Sequence, residues 1–248
     1  MKKVIQYSVV VVLFLVLSGV SACALLSENR PEGSEGAEAE ALAAQMLESV
    51  NASAWEQTGA VRWNFPRGHE HLWDKRRNLA KVKWKSYEVY VNLSKKTGVA
   101  LKDGERVTEG KESQELVEKA WAMWANDSFW LNPVVKIRDG GTTRELITLE
   151  DGSKALLVTY GKGGVTPGDA YLWLVDQKTG KPQGWKMWVS VLPVGGMEFE
   201  WKSWIELSTG ALVAKDHDGL FDVNLTNIEG AKTLKELVGE PDPFSILE

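Results

Sequence analysis

Apolar and polar residues alternate one for one through much of this chain, and that alternation restricts it to a fold built on antiparallel strands. Val61, Trp63 and Phe65 are separated by Arg62 and Asn64. Ala80, Val82 and Trp84 alternate with Lys81, Lys83 and Lys85, and Tyr87, Val89, Val91 and Leu93 with Glu88, Tyr90 and Asn92. Successive side chains of a strand point to opposite faces, so a period of two describes strands with one buried face. Further strands are expected near 143–149, 154–160, 170–175, 184–192, 197–207 and 211–215. Between them lie turn signals such as Asp139-Gly140-Gly141, Asp151-Gly152, Thr166-Pro167-Gly168-Asp169 and Thr179-Gly180, with Thr97-Gly98 and Asp103-Gly104 in the first half. Connections this short join antiparallel neighbours, because parallel strands need long crossovers.

Helical periodicity interrupts the strands in three places. Ala39, Leu42, Ala43, Met46, Leu47 and Val50 form one stripe and predict a helix over 37–52. Val117, Trp121 and Trp124 share a side of a second helix, about 112–126, and a short third is expected near 231–238. The sum is an α+β fold: one large curved antiparallel sheet, an open half-barrel, with helices packed at its concave side.

Tryptophan decides what that sheet buries. There are 12, against 6 Phe and 5 Tyr. Each brings a large apolar ring and a single N–H donor. The segments Trp185-Lys186-Met187-Trp188 and Trp201-Lys202-Ser203-Trp204 echo one another across Pro193-Val194-Gly195-Gly196, a plausible hairpin turn. With an even loop, Trp188 shares a face with Phe199 and Trp201, leaving Trp185 and Met187 opposite; a one-residue slip inverts this. An apolar face so rich in rings is either filled by the protein's own side chains or lines an apolar ligand cavity. For the second case the lining candidates are Trp63, Trp84, Trp121, Trp124, Trp188, Phe199 and Trp201.

The N-terminus reads as an address. Lys2 and Lys3 precede an uncharged apolar run, Val9 to Leu17, followed by small residues, which is the order of a secretory signal peptide. Val20-Ser21-Ala22-Cys23 resembles the lipobox of bacterial lipoproteins. The resemblance implies removal of residues 1–22, lipidation of Cys23 by diacylglycerol and a further acyl chain of the palmitate class, and attachment to a membrane. Ala24, where an aspartate would signal retention, resembles the outer-membrane sorting state and implies a periplasm-facing protein. Cys23 is the only cysteine, so no internal disulfide or cysteine metal knuckle is available. Residues 23–36 have the composition of a flexible tether, and 37–248 are expected to be one β-rich domain. Losing Lys2 and Lys3 with the leader leaves 27 Lys and Arg against 34 Asp and Glu, a net charge of −7. That balance argues against nucleic acid as a partner.

A lipobox, a helix, a run of antiparallel strands, a helix and more strands is similar in element order to the LolA/LolB-like lipoprotein carrier and receptor superfamily. The similarity covers roughly residues 37–230 and implies an open half-barrel that binds acyl chains, in lipid or lipoprotein trafficking and without enzyme activity. Two other readings stay open. One is an envelope hydrolase or metal-dependent enzyme: His69 and His71 share a strand face and offer a metal pair, with His217, between Asp216 and Asp218, as a third ligand. The other is a structural lipoprotein that uses exposed aromatics as an interface. Asp127 and Asp169 stand as loop carboxylates with either functional or turn roles. Lys81, Lys83 and Lys85 make a basic strand face, which suits solvent or anionic headgroups. No nucleophile elbow, phosphate loop or dinucleotide fingerprint is present, and no cofactor is implied.

The lipobox makes a direct prediction. Cells expressing the full chain and fed radiolabelled palmitate should label it, and Cys23→Ser should abolish the label; an equally labelled variant removes the lipoprotein reading.

Overall fold

A computed structural model describes residues 27–162 and 166–248. The leader, the lipobox and Cys23 lie outside the described residues. The chain begins with helices α1 (Ala37–Ser49) and α2 (Ala52–Gln57), then strands β1 (Ala60–Phe65), β2 (His69–Asp74), β3 (Leu79–Trp84), β4 (Tyr87–Asn92), β5 (Thr97–Lys102) and β6 (Glu105–Arg106). Helix α3 (Lys111–Leu131) and a single 3₁₀ turn (Val134–Lys136) lead into β7 (Thr142–Thr148), β8 (Lys154–Tyr160), β9 (Ala170–Val175), β10 (Pro182–Trp188), β11 (Met197–Glu206) and β12 (Leu212–Gly219). Strands β13 (Val223–Asn224) and β14 (Thr226–Ala231), helix α4 (Leu234–Val238) and a 3₁₀ segment (Pro243–Leu247) complete it.

The strands divide between two antiparallel seven-stranded sheets, ordered β14-β1-β2-β3-β4-β5-β6 and β13-β12-β11-β10-β9-β8-β7. Neither closes into a barrel, and with few helices the fold is α+β, as the alternation predicts. The division into two sheets is the new element. Val223 and Asn224 pair with β12, the Leu225 amide donates to the Lys215 carbonyl at 2.7 Å, and Thr226–Ala231 pair with β1. One run of chain therefore serves both sheets and turns between them. The turn has a local cause: the β1–β14 register shifts between Arg62 and Asn64, and Asn227 opposite has a positive φ of 52°. An extra residue in one strand bends it and increases its twist.

Sequence patterning understated two elements. β2, His-Glu-His-Leu-Trp-Asp, does not alternate cleanly, yet it pairs along its whole length with β1 and from Glu70 to Asp74 with β3. Thr97-Gly98, read as a turn, instead opens β5, because the reversal happens earlier, at Lys96 with its φ of 53°. Gly98 lies so close under the Tyr90 carbonyl that a Cβ would stand 2.0 Å from its oxygen.

The hairpin of the paired tryptophans takes the odd register. Trp185 pairs with Phe199 and Met187 with Met197, leaving nine residues between the last pair. The even-loop assignment is thereby inverted: Trp185 and Met187 join Phe199 and Trp201 in the core, and Trp188 turns to the other face. There its indole Nε1 donates to the Glu28 carbonyl at 2.8 Å. Other residues of the expected tether are also held against the second sheet. Ser34 exchanges backbone hydrogen bonds with Leu146, Gly33 N donates to a Glu145 carboxylate oxygen, and Glu28 pairs with Lys186 at 2.8 Å.

Both sheets bury their inner faces against helices. α1 sets Ala39, Ala43 and Met46 against Leu156, Val158 and Trp173 of the second sheet. α3 sets Val117 and Ala120 against Val82, Trp84, Val89 and Val91 of the first. α4 and the C-terminal 3₁₀ segment cover the opposite face of the first sheet, where Leu234 and Phe244 meet Leu72 and Tyr90. The expectation of helices on one side only therefore holds for α1 and α3 and not for the C-terminus. The lysine face is charge-compensated across strands, with Lys81 3.7 Å from Glu88 and Lys83 3.9 Å from Glu70.

Trp185 is the hub of the second core. It is fully buried, and its ring lies within 4.6–5.9 Å (centroids) of Tyr171, Trp201, Trp173, Trp130 and Phe129. Trp185→Ala should cost about 3–5 kcal/mol of unfolding free energy; urea titration monitored by circular dichroism measures it, and a loss below about 1 kcal/mol would show that the core collapses around the void.

Candidate functional site

Helix α3 builds the site because it is longer than its periodicity suggested. It continues past Asn126 to Leu131 and stops before Pro133, whose ring disfavours helical geometry in the residue preceding it. The extra turn carries Asn126-Asp127-Ser128-Phe129-Trp130-Leu131 inside the fold. Val117 and Ala120 face the first sheet, Leu131 packs with Trp63 and Val213, and Phe129 and Trp130 pack against the core of the second.

Between α3 and the β8–β9 hairpin lies a cavity of about 450 Å³. Trp121, Trp124 and Phe129 line it from the helix, and Tyr160 and Tyr171 from the sheet. Phe129 stands edge-on to Tyr160 (5.4 Å) and tilted against Tyr171 (5.0 Å), and the two tyrosines meet at 5.7 Å. Lys136, Asp139, Lys162 and Asp169 supply the charged part of the lining. Cavities of this size, mostly apolar with a few polar groups, suit small-molecule ligands. The Tyr160 hydroxyl is buried and has no hydrogen-bond partner among the described residues. Burial, reinforced by Tyr171, holds its pKa well above the ordinary value, so it stays neutral and able to donate. Tyr171 is raised as well, chiefly by burial.

Ser128, Lys136 and Asp139 also border a second, more polar cleft of about 680 Å³, where Lys75 and Arg138 stand near Trp55 and Trp73. The Lys75 ammonium donates to the Trp55 carbonyl and sits 4.2 Å from the centre of that ring. Burial first, and the charge of Lys136 second, bring Lys75 down to about 8.

The proposed lining residues separate. Trp121 and Trp124 line the cavity; Trp63, Trp84, Phe199 and Trp201 are buried core; Trp188 is on the outer face. Trp121 is fixed by an indole hydrogen bond to the Leu93 carbonyl (3.2 Å) and by Lys96, 3.5 Å above its ring. Sequence reasoning missed Phe129, Tyr160 and Tyr171. Tyr171 had a signal, since it falls one residue after a predicted strand start, but nothing local distinguishes a cavity tyrosine from a core one.

The histidines also rearrange. His69 Nδ1 and His71 Nε2 donate to the same oxygen, Oδ2 of Asp127, at 2.8 and 2.7 Å. Asn126 Nδ2 donates to the other carboxylate oxygen at 2.9 Å. Cross-strand neighbours on β1 clamp the rings: Trp63 stacks on His71 (4.5 Å) and Phe65 on His69 (6.0 Å). Burial lowers the pKa of His71 against the opposing pull of Asp127. His217 does not take part. It donates from Nδ1 to the Val223 carbonyl (2.7 Å) and lies against Trp201 and Trp130. The expected trio of histidines is thus replaced by His69, His71 and Asp127. Asp169, the other loop carboxylate, has a turn role: Oδ1 accepts from the Ser190 amide and Oδ2 from the Thr166 hydroxyl.

What fold and site define is an α+β protein of two open antiparallel sheets around one long helix, with an aromatic cavity beside it. No family model matches the chain, and no curated protein matches it. Among solved structures it is similar to a LolA superfamily protein from Nitrosomonas europaea, at 13% identity over 81% of this chain and 98% of that one, with a TM-score of 0.36. A likeness that distant carries no argument about what this chain binds.

His217 makes the stability of the second sheet acid-sensitive. Burial lowers its pKa to about 4, from 6.5. The folded protein therefore resists a proton that the unfolded chain accepts, so stability is lost as pH falls below about 6.5 and levels off near 4. Between pH 7.5 and pH 5 the loss from this residue should be about 2 kcal/mol. Denaturant titrations at the two pH values, compared with His217→Gln, isolate it; an equal pH dependence in the variant contradicts the assignment.

Proposed function

We propose that this chain is a membrane-anchored envelope lipoprotein that binds a lipid or another apolar ligand in the cavity beside α3, and that it serves lipid or lipoprotein trafficking from the periplasmic face of the outer membrane. The observation that carries the reading is the cavity itself. Five aromatic side chains, Trp121, Trp124, Phe129, Tyr160 and Tyr171, line about 450 Å³. The adjoining cleft with Lys75 and Arg138 suits the anionic end of an amphiphile whose tail occupies the aromatic cavity. The lipobox at Cys23 supports the location, because acylation there would hold the cavity near a bilayer.

The reading as an interface protein has less support. None of the 12 tryptophans is exposed; the exposed large apolar residues among those described are Val191, Leu220 and Phe221. The hydrolase reading loses His217 as a third ligand, for the reasons above.

Extracted gently and sprayed intact into a mass spectrometer, the protein should carry a lipid-sized adduct. After delipidation it should bind a fluorescent polyene fatty acid. Trp124→Ala and Phe129→Ala should each weaken that binding about tenfold, or about 1.4 kcal/mol. A protein that emerges bare and also ignores the probe sinks the reading.

A further inference from the structure

The side-chain cluster at His69, His71 and Asp127 lies outside the aromatic cavity and takes no part in apolar binding. We propose that these three residues form a binding site for a first-row divalent transition metal ion of the zinc class, with at least one coordination position left to water or an exogenous ligand.

The geometry carries the proposal in three steps. First, one ligand atom from each residue lies within 4.8 Å of the other two. Two imidazole nitrogens and a carboxylate oxygen are a donor set that zinc, cobalt and ferrous iron accept, and three protein ligands are what open metal sites use. Second, the three come from rigid elements rather than loops. His69 and His71 share a face of β2, and Asp127 comes down on that face from α3. Side chains held by strands and helices keep the positions that coordination demands. Third, the surroundings orient each ligand. Asn126 holds Oδ1 of Asp127, so Oδ2 is the oxygen presented to the histidines, and Trp63 and Phe65 fix the planes of the rings. Outer contacts of this kind set ligand direction in metal sites.

The charges agree. The Asp127 side chain is 2% exposed, and the described acceptor contacts to Oδ2 come from two imidazoles. A carboxylate so far from water calls for a compensating cation or strong hydrogen bonds. An ion would replace the two shared hydrogen bonds. Each neutral imidazole would present its lone pair by moving its proton to the other ring nitrogen, Nε2 in His69 and Nδ1 in His71. The two N–O distances of 2.8 and 2.7 Å would widen toward the ~3.4 Å edge of a tetrahedron with ~2.1 Å bonds, a shift within reach of small side-chain rotations. The His69 side chain is 15% exposed, which places the way in on its side of the cluster.

The full protein, stripped with a chelator and dialysed, should bind one equivalent of Zn²⁺ in isothermal titration at neutral pH. Substituted with Co²⁺, it should show a visible absorption band of tetrahedral intensity. His69→Ala and Asp127→Asn should each weaken Zn²⁺ binding at least tenfold and remove that band. His69 is the least buried of the three, so His69→Ala keeps the test decisive if Asp127→Asn fails to fold. Wild-type protein that binds no stoichiometric zinc overturns the proposal. So does zinc binding that survives unchanged in folded His69→Ala. Neither result touches the fatty-acid probe, which reads a separate cavity.

Discussion

Everything in this fold leans on α3. The two sheets bury apolar faces that their own strands cannot cover, and a single helix of 21 residues contacts both. Its first half closes the core of the first sheet through Val117 and Ala120, and its last turns enter the core of the second through Phe129 and Trp130. A helix with partners on one side carries one apolar stripe. This one changes partners along its length, so its buried face rotates, and in its last turns Asp127, Ser128 and Leu131 are all buried. The cavity is what remains where the helix leaves one sheet and has not yet fully met the other. The His69–His71–Asp127 cluster occupies the crossing over β2.

The aromatic core is bound by shape more than by polar pairing. Among the described residues, the indole nitrogens of Trp63, Trp73, Trp124, Trp173, Trp185 and Trp201 are buried without an acceptor. A buried donor left unpaired is costly, while tilted and edge-on ring contacts each return about 0.5–1.5 kcal/mol beyond area burial. Trp185 alone makes four such contacts, and Phe129 stacks on it as a fifth. The arrangement trades donor satisfaction for ring contact.

Much of this was legible in the chain alone, and the failures are instructive. Strands with one wet face announce themselves by alternation, and β1, β3 and β4 were visible that way, while β7–β12 were placed as strands between turn signals. β2 showed only through its histidine pair, because those two side chains are polar by type and inward by position and break the alternation. Asp127 was placed in a loop because a polar Asn-Asp-Ser run ends a helix when exposed and continues it when the helix is wedged between sheets. The hairpin register could not be read either, since loops of eight and nine residues look alike in sequence while inverting every side chain. The cavity was undetectable for a deeper reason. A void is a failure of packing between segments far apart, and no local pattern records it.

The pairing of β1 with β14 places Ala60 opposite Ala231. A chain synthesised from its N-terminus must keep that edge of the first sheet without its neighbour until residues 226–231 emerge, more than 160 residues later. The outer cover from Leu234 and Phe244 arrives later still. Contacts of such long separation are slow to close, and an open strand edge invites intermolecular pairing while it waits. The β1 edge of the first sheet therefore stays open until residues 226–231 have paired with it.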